Sequence, residues 1–331
     1  MKQAGFTGFV GGLGLACAVA LCGCSAIKVK LGMRISLAKV QVASIEATQY
    51  KHVGIGPGEK SSLIATLTEP DGTVLVTEGK GNGKVLWSDL AVAATVVSVN
   101  KKGVLTLPRD PRVSDGKTGH VTITMPSHPG IKADLDIPLR YNYKFAASFS
   151  GGSGTSGTNG IDGIGGTMGM AGSMDPNNPS AGGNGGDGTN GTDGSDGGAG
   201  DDGPAVQVRV TVQSGNHPLL EAEVSVPGNK DRYYLVDPQG GSLTVSSEGG
   251  AGGSGGKGGS GGAGGSGGMG TPSGSNGSAG SSGFNGSDGR AGSGGSITVT
   301  YDPAVQPYLA AIKLSGGSKP VMKQAPVAAL W

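Results

Sequence analysis

Residues 249–270 read GGAGGSGGKGGSGGAGGSGGMG, seven consecutive GGx triplets with glycine on two of every three positions. No helix or strand can bury such a stretch through its side chains, and glycine loses more backbone freedom on ordering than any other residue. Three further runs, 151–172, 182–203 and 274–295, keep glycine at every third position. All four are 22 residues long and hold their phase without a break. A flexible spacer has no need of register, so equal length and constant phase predict a built object.

Three residues per turn is the period of the polyproline II helix, and a glycine at every third place leaves one edge of that helix free for another backbone to approach. The four runs contain no proline; Pro176, Pro179, Pro204 and Pro272 lie in the connectors or just outside. Excluding proline keeps every amide available to donate sideways, which is the requirement of a polyglycine II bundle. The connectors, 173–181 and 271–273, are short enough to reverse the chain, so neighbouring helices are expected antiparallel. At the usual rise each run would be about 70 Å long. In this pattern the runs resemble the glycine-rich bundles of snow flea antifreeze protein and of phage tail-fibre adhesins. The likeness covers only the runs and carries no functional residue across. Disordered low-complexity sequence and a collagen-like trimer are the two other readings of the same composition.

The N-terminal residues MKQAGFTGFVGGLGLACAVALCGCS hold one lysine, an apolar stretch and then small residues, the plan of a secretory signal peptide. Leu21-Cys22-Gly23-Cys24 resembles the lipobox of bacterial lipoproteins. That resemblance implies cleavage before Cys24, lipidation of Cys24 and an outer-membrane protein, since Ser25 is not the aspartate of inner-membrane retention. Acylation with more than one chain makes such an anchor stable. Cys17 and Cys22 fall in the cleaved segment, so no disulfide or thiol chemistry is left. With 25 Lys and Arg against 24 Asp and Glu and no basic block, nucleic acid is not an expected partner.

From Ile35 to Tyr143 short apolar alternations separated by turn signals predict eight strands: LAKVQVASI, SLIATLT, TVLVTE, VLWSD, AVAATVVSV, GVLTLP, HVTITM and KADLDIPLRY. Eight strands in that length suit a two-sheet sandwich of immunoglobulin-like type, with Trp87 as its core anchor. GIGPGEKSSLIATLTEPDGTVL, residues 54–75, looks like the opening of bacterial Ig-like surface domains. Each pair of glycine runs is a loop between two strands: YKFAASF and AVQVRVTV flank the first pair, GGSLTV and GGSITV the second. Because the runs return the chain to where it left, those flanking strands can pair. Two more strands at 219–226 and 232–236 complete a second β module, and Asp302-Pro303 opens a short helix.

The expected organisation is a signal peptide (1–23), a lipidated linker (24–34), an Ig-like sandwich (35–143), a strand (144–150), a first glycine hairpin (151–203) and a β module (204–248). A second glycine hairpin (249–295), a closing strand with a short helix (296–318) and a tail of little pattern (319–331) follow. The fold class is all-β, with the two inserted hairpins forming a four-helix polyglycine II bundle.

No catalytic constellation accompanies this plan. His52, His120, His128 and His217 are scattered over turns and strand ends, without a nucleophile elbow, zinc signature or phosphate loop. Asp187, Asp193, Asp196, Asp201 and Asp202 make the second run acidic; they read as a solvated ridge rather than a calcium repeat. In the first run Thr155, Thr158, Ile161, Ile164, Thr167 and Met170 share one ridge, whose apolar members are expected to be buried against a neighbour. The sequence therefore points to a non-catalytic, lipid-anchored envelope protein, structural or adhesive, with no cofactor and no metal. A ligand-binding module that recognises a surface glycan or protein is the alternative, and flat surfaces such as ice a remote target of the repeats. The oligomeric state is left open.

Overall fold

The computed structural model describes residues 34–213, 215 and 217–331. The signal peptide and Cys24 lie outside the described residues. The described chain is all-β, with strands joined by short 3-10 turns, and divides into two compact units at Tyr143/Lys144.

The first unit contains β1 (Ser44–Gln49), β2 (Lys60–Thr68), β3 (Val74–Val76), β4 (Ala91–Thr95), β5 (Ser98–Val99), β6 (Val104–Thr106), β7 (Gly119–Met125) and β8 (His128–Ile137). One sheet runs β1-β2-β6-β5 with β3 beside β2, and the other β4-β7-β8. Period-two alternation sets the inner faces: Val121, Ile123 and Met125 of β7 are fully buried while His120, Thr122 and Thr124 are not. Leu63, Ala65 and Leu67 of β2 do the same for the first sheet, and both faces close on one apolar core. Each such leucine or isoleucine contributes about 1.5–3 kcal/mol by burial.

Three sequence expectations are corrected in this unit. VLWSD is not a strand, because Trp87–Asp89 is a 3-10 turn; the turn swings the Trp87 ring inward, where it is only 3% exposed. Gly103, at φ +69°, lies under that ring with no room for a Cβ. LAKVQVASI forms its strand only from Ser44, after a turn at Leu37–Lys39. AVAATVVSV breaks at Val96, whose φ of +65° sends β4 to the β7 sheet and β5 to the β6 sheet. A branched residue in the left-handed region is strained, and here the strained residue is the corner between two sheets.

The second unit contains β9 (Lys144–Ser150), β10 (Val206–Gln213), β11 (Leu219–Ser225), β12 (Arg232–Val236), β13 (Ser242–Glu248), β14 (Ile297–Tyr301), β15 (Ile312–Ser315) and β16 (Val321–Gln324). The sheets are β12-β11-β10-β14-β16 and β15-β13-β9, sharing a core that includes Val208, Val210, Leu220, Leu243, Val245 and Val299. Strands flanking one glycine pair do not pair with each other, although the return of the chain would allow it. Instead the two strands that lead into the hairpins, β9 and β13, pair in parallel (Ser150 opposite Glu248), and the two that lead out, β10 and β14, pair in parallel (Val206 opposite Ile297). The reason is visible in the runs themselves, where the first lies alongside the third and the second alongside the fourth, so each β ladder continues into a run ladder.

The tail, which has little sequence pattern, is fixed to the second unit. Residues of β16 extend the larger sheet beside β14, and beyond them Val327 is buried, its N–H donating to Asp302 and its carbonyl accepting from Thr211 Oγ1. Leu330 N–H donates to the buried Glu221, and Trp331 meets Tyr233 edge-on at 5.9 Å. Asp302 caps the following helical turn as expected, accepting from Ala304 N–H, though Pro303–Ala311 is 3-10 rather than α.

Candidate functional site

Below, runs 1 to 4 are residues 151–172, 182–203, 249–270 and 274–295. Run 1 lies parallel to run 3: Gly151 N–H donates to the Glu248 carbonyl, Gly154 to Ala251, Gly157 to Ser254, and so on at every third residue to Gly172 and Met269. Run 2 lies parallel to run 4 in the same way, from Gly182 with Pro272 to Gly203 with Ser293. Antiparallel ladders join run 2 to run 1 (Gly183 to Met170, Gly198 to Thr155), run 3 to run 2 (Gly250 to Asp201, Gly268 to Gly183) and run 4 to run 3 (Gly274 to Gly268, Gly292 to Gly250). Runs 2 and 3 thus form the short diagonal of a rhombus, with runs 1 and 4 at its outer corners.

Glycine is required at this spacing because the backbones nearly touch. A Cβ added at Gly157 would collide with the Ser195 carbonyl, and one at Gly256 with the Thr158 carbonyl. Run 3 has two such edges, and its second, from Gly250 through Gly259 to Gly268, is the only glycine edge buried along its length. Run 2 adjoins as many runs (1, 3 and 4) as run 3 does (1, 2 and 4), so the doubled glycine of the GGx triplets marks the run with the most buried backbone and not the one with the most neighbours.

A second layer of bonds involves side chains. Every Asn and Asp in the runs except Asp201 directly precedes an in-register glycine, and every one of those accepts a backbone N–H from the adjoining run. On run 2, Asn184, Asp187, Asn190, Asp193, Asp196 and Asp202 receive the amides of Ser275, Ser278, Ser281, Phe284, Ser287 and Ser293 at 2.6–2.9 Å. Asn159 and Asp162 of run 1 receive Lys257 and Ser260 of run 3, and Asn276, Asn285 and Asp288 of run 4 receive Gly267, Gly258 and Gly255. Thr189, Thr192 and Ser195 do the same with hydroxyls for Ile164, Ile161 and Thr158. Amides that point away from the glycine edges are thereby satisfied, as backbone donors must be.

The acidic residues are accordingly not a merely solvated ridge. Asp187, Asp193, Asp196 and Asp202 each hold an amide of run 4, and Asp201 instead uses its backbone, donating to Gly152 and accepting from Gly250. The signal for this was present in the sequence as the invariable Asx-Gly step. The apolar ridge is corrected as well: Ile161, Ile164 and Met170 are 74%, 76% and 85% exposed. They stand out because run 1 occupies an outer corner, where its glycine edge faces inward and its other two edges face out.

The histidines do not converge. His120 is clasped between Asp136 (Nδ1 to Oδ1, 2.7 Å) and Asp134 (Nε2 to Oδ1, 3.4 Å) on the outer side of β7 and β8. Thr122 Oγ1–H donates to Asp134, and Lys132 pairs with its other oxygen. The hydrogen bond with Asp136 raises the pKa of His120, and the bonds from Thr122 and Lys132 lower that of Asp134 to about 2. His217 meets Asp237 at 3.0 Å, and His128 meets the Ser127 hydroxyl. Near the end of the first unit, burial and then the Glu59 carboxylate push Tyr143 up to about 12, and its hydroxyl accepts from Arg140. Among the described residues no group of three His, Cys, Asp or Glu side chains is placed to hold a metal ion. No described helix is long and apolar enough to cross a membrane. Cys24, the lipid acceptor expected from sequence, lies outside the described residues. Compared with protein-family models and with curated proteins, the chain matches no family model and no curated protein.

Proposed function

We propose that the four runs are a polyglycine II bundle, and that the protein is a non-catalytic lipoprotein of the bacterial outer envelope. In this reading Cys24 carries the lipid, the first unit is an immunoglobulin-like sandwich, and the bundle is a stiff blade of about 70 Å carried by the second β module. Its work is structural or adhesive. The observation that supports a mechanical role is the continuous hydrogen bonding of the runs, in which both parallel ladders continue β ladders of the same unit. A segment bonded on two or three sides at every third residue resists bending, whereas a linker of the same composition would coil. The Asx side chains add stiffness by fixing the outer amides.

Replacing Cys24 by alanine tests the anchor: the protein should move to the soluble fraction and lose its lipid mass. Sedimentation with membranes in both forms, without lipid mass in either, would overturn it. Hydrogen exchange tests the bundle. Amides of run 3 should exchange slowest among the runs, and uniformly fast exchange through all four would leave no bundle to propose.

A further inference from the structure

The outward row of run 1 reads Thr155, Thr158, Ile161, Ile164, Thr167, Met170. Hydrogen bonds from the amides of Thr158, Ile161 and Ile164 to the hydroxyls of Ser195, Thr192 and Thr189 put this row and the outward row of run 2 on one face. Both rows are straight, because each run is bonded to its neighbours at every third residue. Neither row carries a charge from 155 to 170 or from 183 to 198. The remaining outward rows do: Asp162 on run 1, Asp187, Asp193 and Asp196 on run 2, Lys257 on run 3, Asp288 and Arg290 on run 4.

The row is also self-complementary. Thr158, Ile161, Ile164 and Thr167 read the same in both directions about a midpoint between the two isoleucines. A two-fold axis through that midpoint, across the runs, sets Ile161 on Ile164 of a second copy and Thr158 on Thr167. Closed two-fold interfaces need that property, since one patch must fit itself. Antiparallel alignment of straight runs is already how run 1 meets run 2. The uncharged face, 16 residues or about 50 Å long and two runs, about 10 Å, wide, offers about 500 Å² per partner, or about 1,000 Å² in all, which meets the roughly 1,000 Å² a specific interface needs. Exposed isoleucines at its centre, hydroxyls around them and carboxylates beyond match the apolar core and polar rim of such interfaces.

We infer that this face binds a second copy of the chain, antiparallel, with the isoleucine pairs at the axis. Because the hairpins leave the β sheets at one end only, the two β modules stand at opposite ends of the pair. The pairing does not rest on the proposed lipid anchor at Cys24.

The test uses the full-length chain with Cys17, Cys22 and Cys24 replaced by serine, which removes the anchor and separates the two readings. Sedimentation should show a dimer, and Ile161→Asp combined with Ile164→Asp should raise its dissociation constant at least about tenfold with the circular dichroism spectrum and melting midpoint unchanged. If the double variant loses its fold, Ile161→Ser with Ile164→Ser gives the same readout. In this background a mixture of the Thr155→Cys and Met170→Cys chains, treated with a short bis-maleimide, should yield the crossed product, because an antiparallel pair brings those two positions together. A chain that stays monomeric, a dimer indifferent to both double variants, or linkage of Thr155→Cys chains to one another would overturn the inference.

Discussion

Asp193 of run 2 accepts the backbone N–H of Phe284 in run 4 through Oδ1 at 2.7 Å, while the aromatic ring of Phe284 itself stands 79% exposed. The residue with the large side chain contributes its amide to the lattice, and the small acidic residue contributes its side chain. Replacing Asp193 by alanine should therefore destabilise the second unit by about 1 kcal/mol and speed exchange of the Phe284 amide. Asp193→Asn, which keeps the acceptor, should do neither. Equal losses for both variants in denaturant unfolding would show that charge rather than the bond matters.

Gly256 and Ser275 occupy opposite situations. Gly256 donates to Ser195, accepts from Gly286, and has the Thr158 carbonyl where a Cβ would go; Ser275 bonds through its amide to Asn184 and through its carbonyl to Gly185, and its side chain is exposed. Gly256→Val should cost about 3 kcal/mol or more, and Ser275→Val no more than about 0.5 kcal/mol. Thermal melting of the two variants side by side measures the contrast.

Gly103 should not tolerate alanine. Its φ of +69° and the Trp87 indole at its Cβ position add backbone strain to overpacking, so Gly103→Ala should destabilise the first unit by about 2–3 kcal/mol. A shift in tryptophan emission should accompany the loss. Gly72, also at positive φ (+87°) but with open space around it, should pay the backbone strain alone.

The clasp around His120 is pH-dependent in a stated direction. Its pKa is raised above 6.5, first by the hydrogen bond with Asp136, so the stabilisation is fully present below 6.5 and is lost as pH rises through the folded value. Asp134 behaves oppositely: held at about 2, it contributes above 3.8 and loses that contribution as pH falls towards 2. An NMR titration should place the His120 midpoint above 6.5, and Asp136→Asn should bring it down. A midpoint unmoved by that substitution would assign the shift to another cause.

Asp302 joins two features with its two oxygens, capping Pro303–Ala311 through Oδ1 and holding Val327 N–H through Oδ2. Loss of a cap alone costs about 1 kcal/mol, so Asp302→Ala should exceed that figure and release the C-terminal strap. Faster exchange of the Val327 and Leu330 amides would report the release, and a loss confined to the cap would leave them unchanged.

The strands of both units were legible wherever alternation was clean, as in HVTITM and AVQVRVTV, because period two places one side chain in three dimensions without reference to a partner. They were illegible where a local conformation overrode the pattern, at Trp87 and at Val96. No alternation rule announces a left-handed valine. The tail was missed for a different reason: Val327 and Leu330 are fixed by Thr211, Glu221 and Asp302, far away in sequence.

In the runs, the glycine period by itself determined that backbones would meet at every third residue and that doubled glycine would mark the run with the most buried backbone, but not which run would have the most neighbours, since runs 2 and 3 each adjoin three. Those follow from steric volume, which is a property of each residue alone. Which runs lie side by side, which strands pair beneath them, and whether Ile161 and Asp193 face solvent, a neighbour or an amide were decided only by the tertiary structure. Four runs with at least one glycine edge apiece can be stacked in more than one order, and the order is chosen by ladders that begin in β9–β13 and β10–β14 and by Asx side chains whose partners lie about ninety residues away.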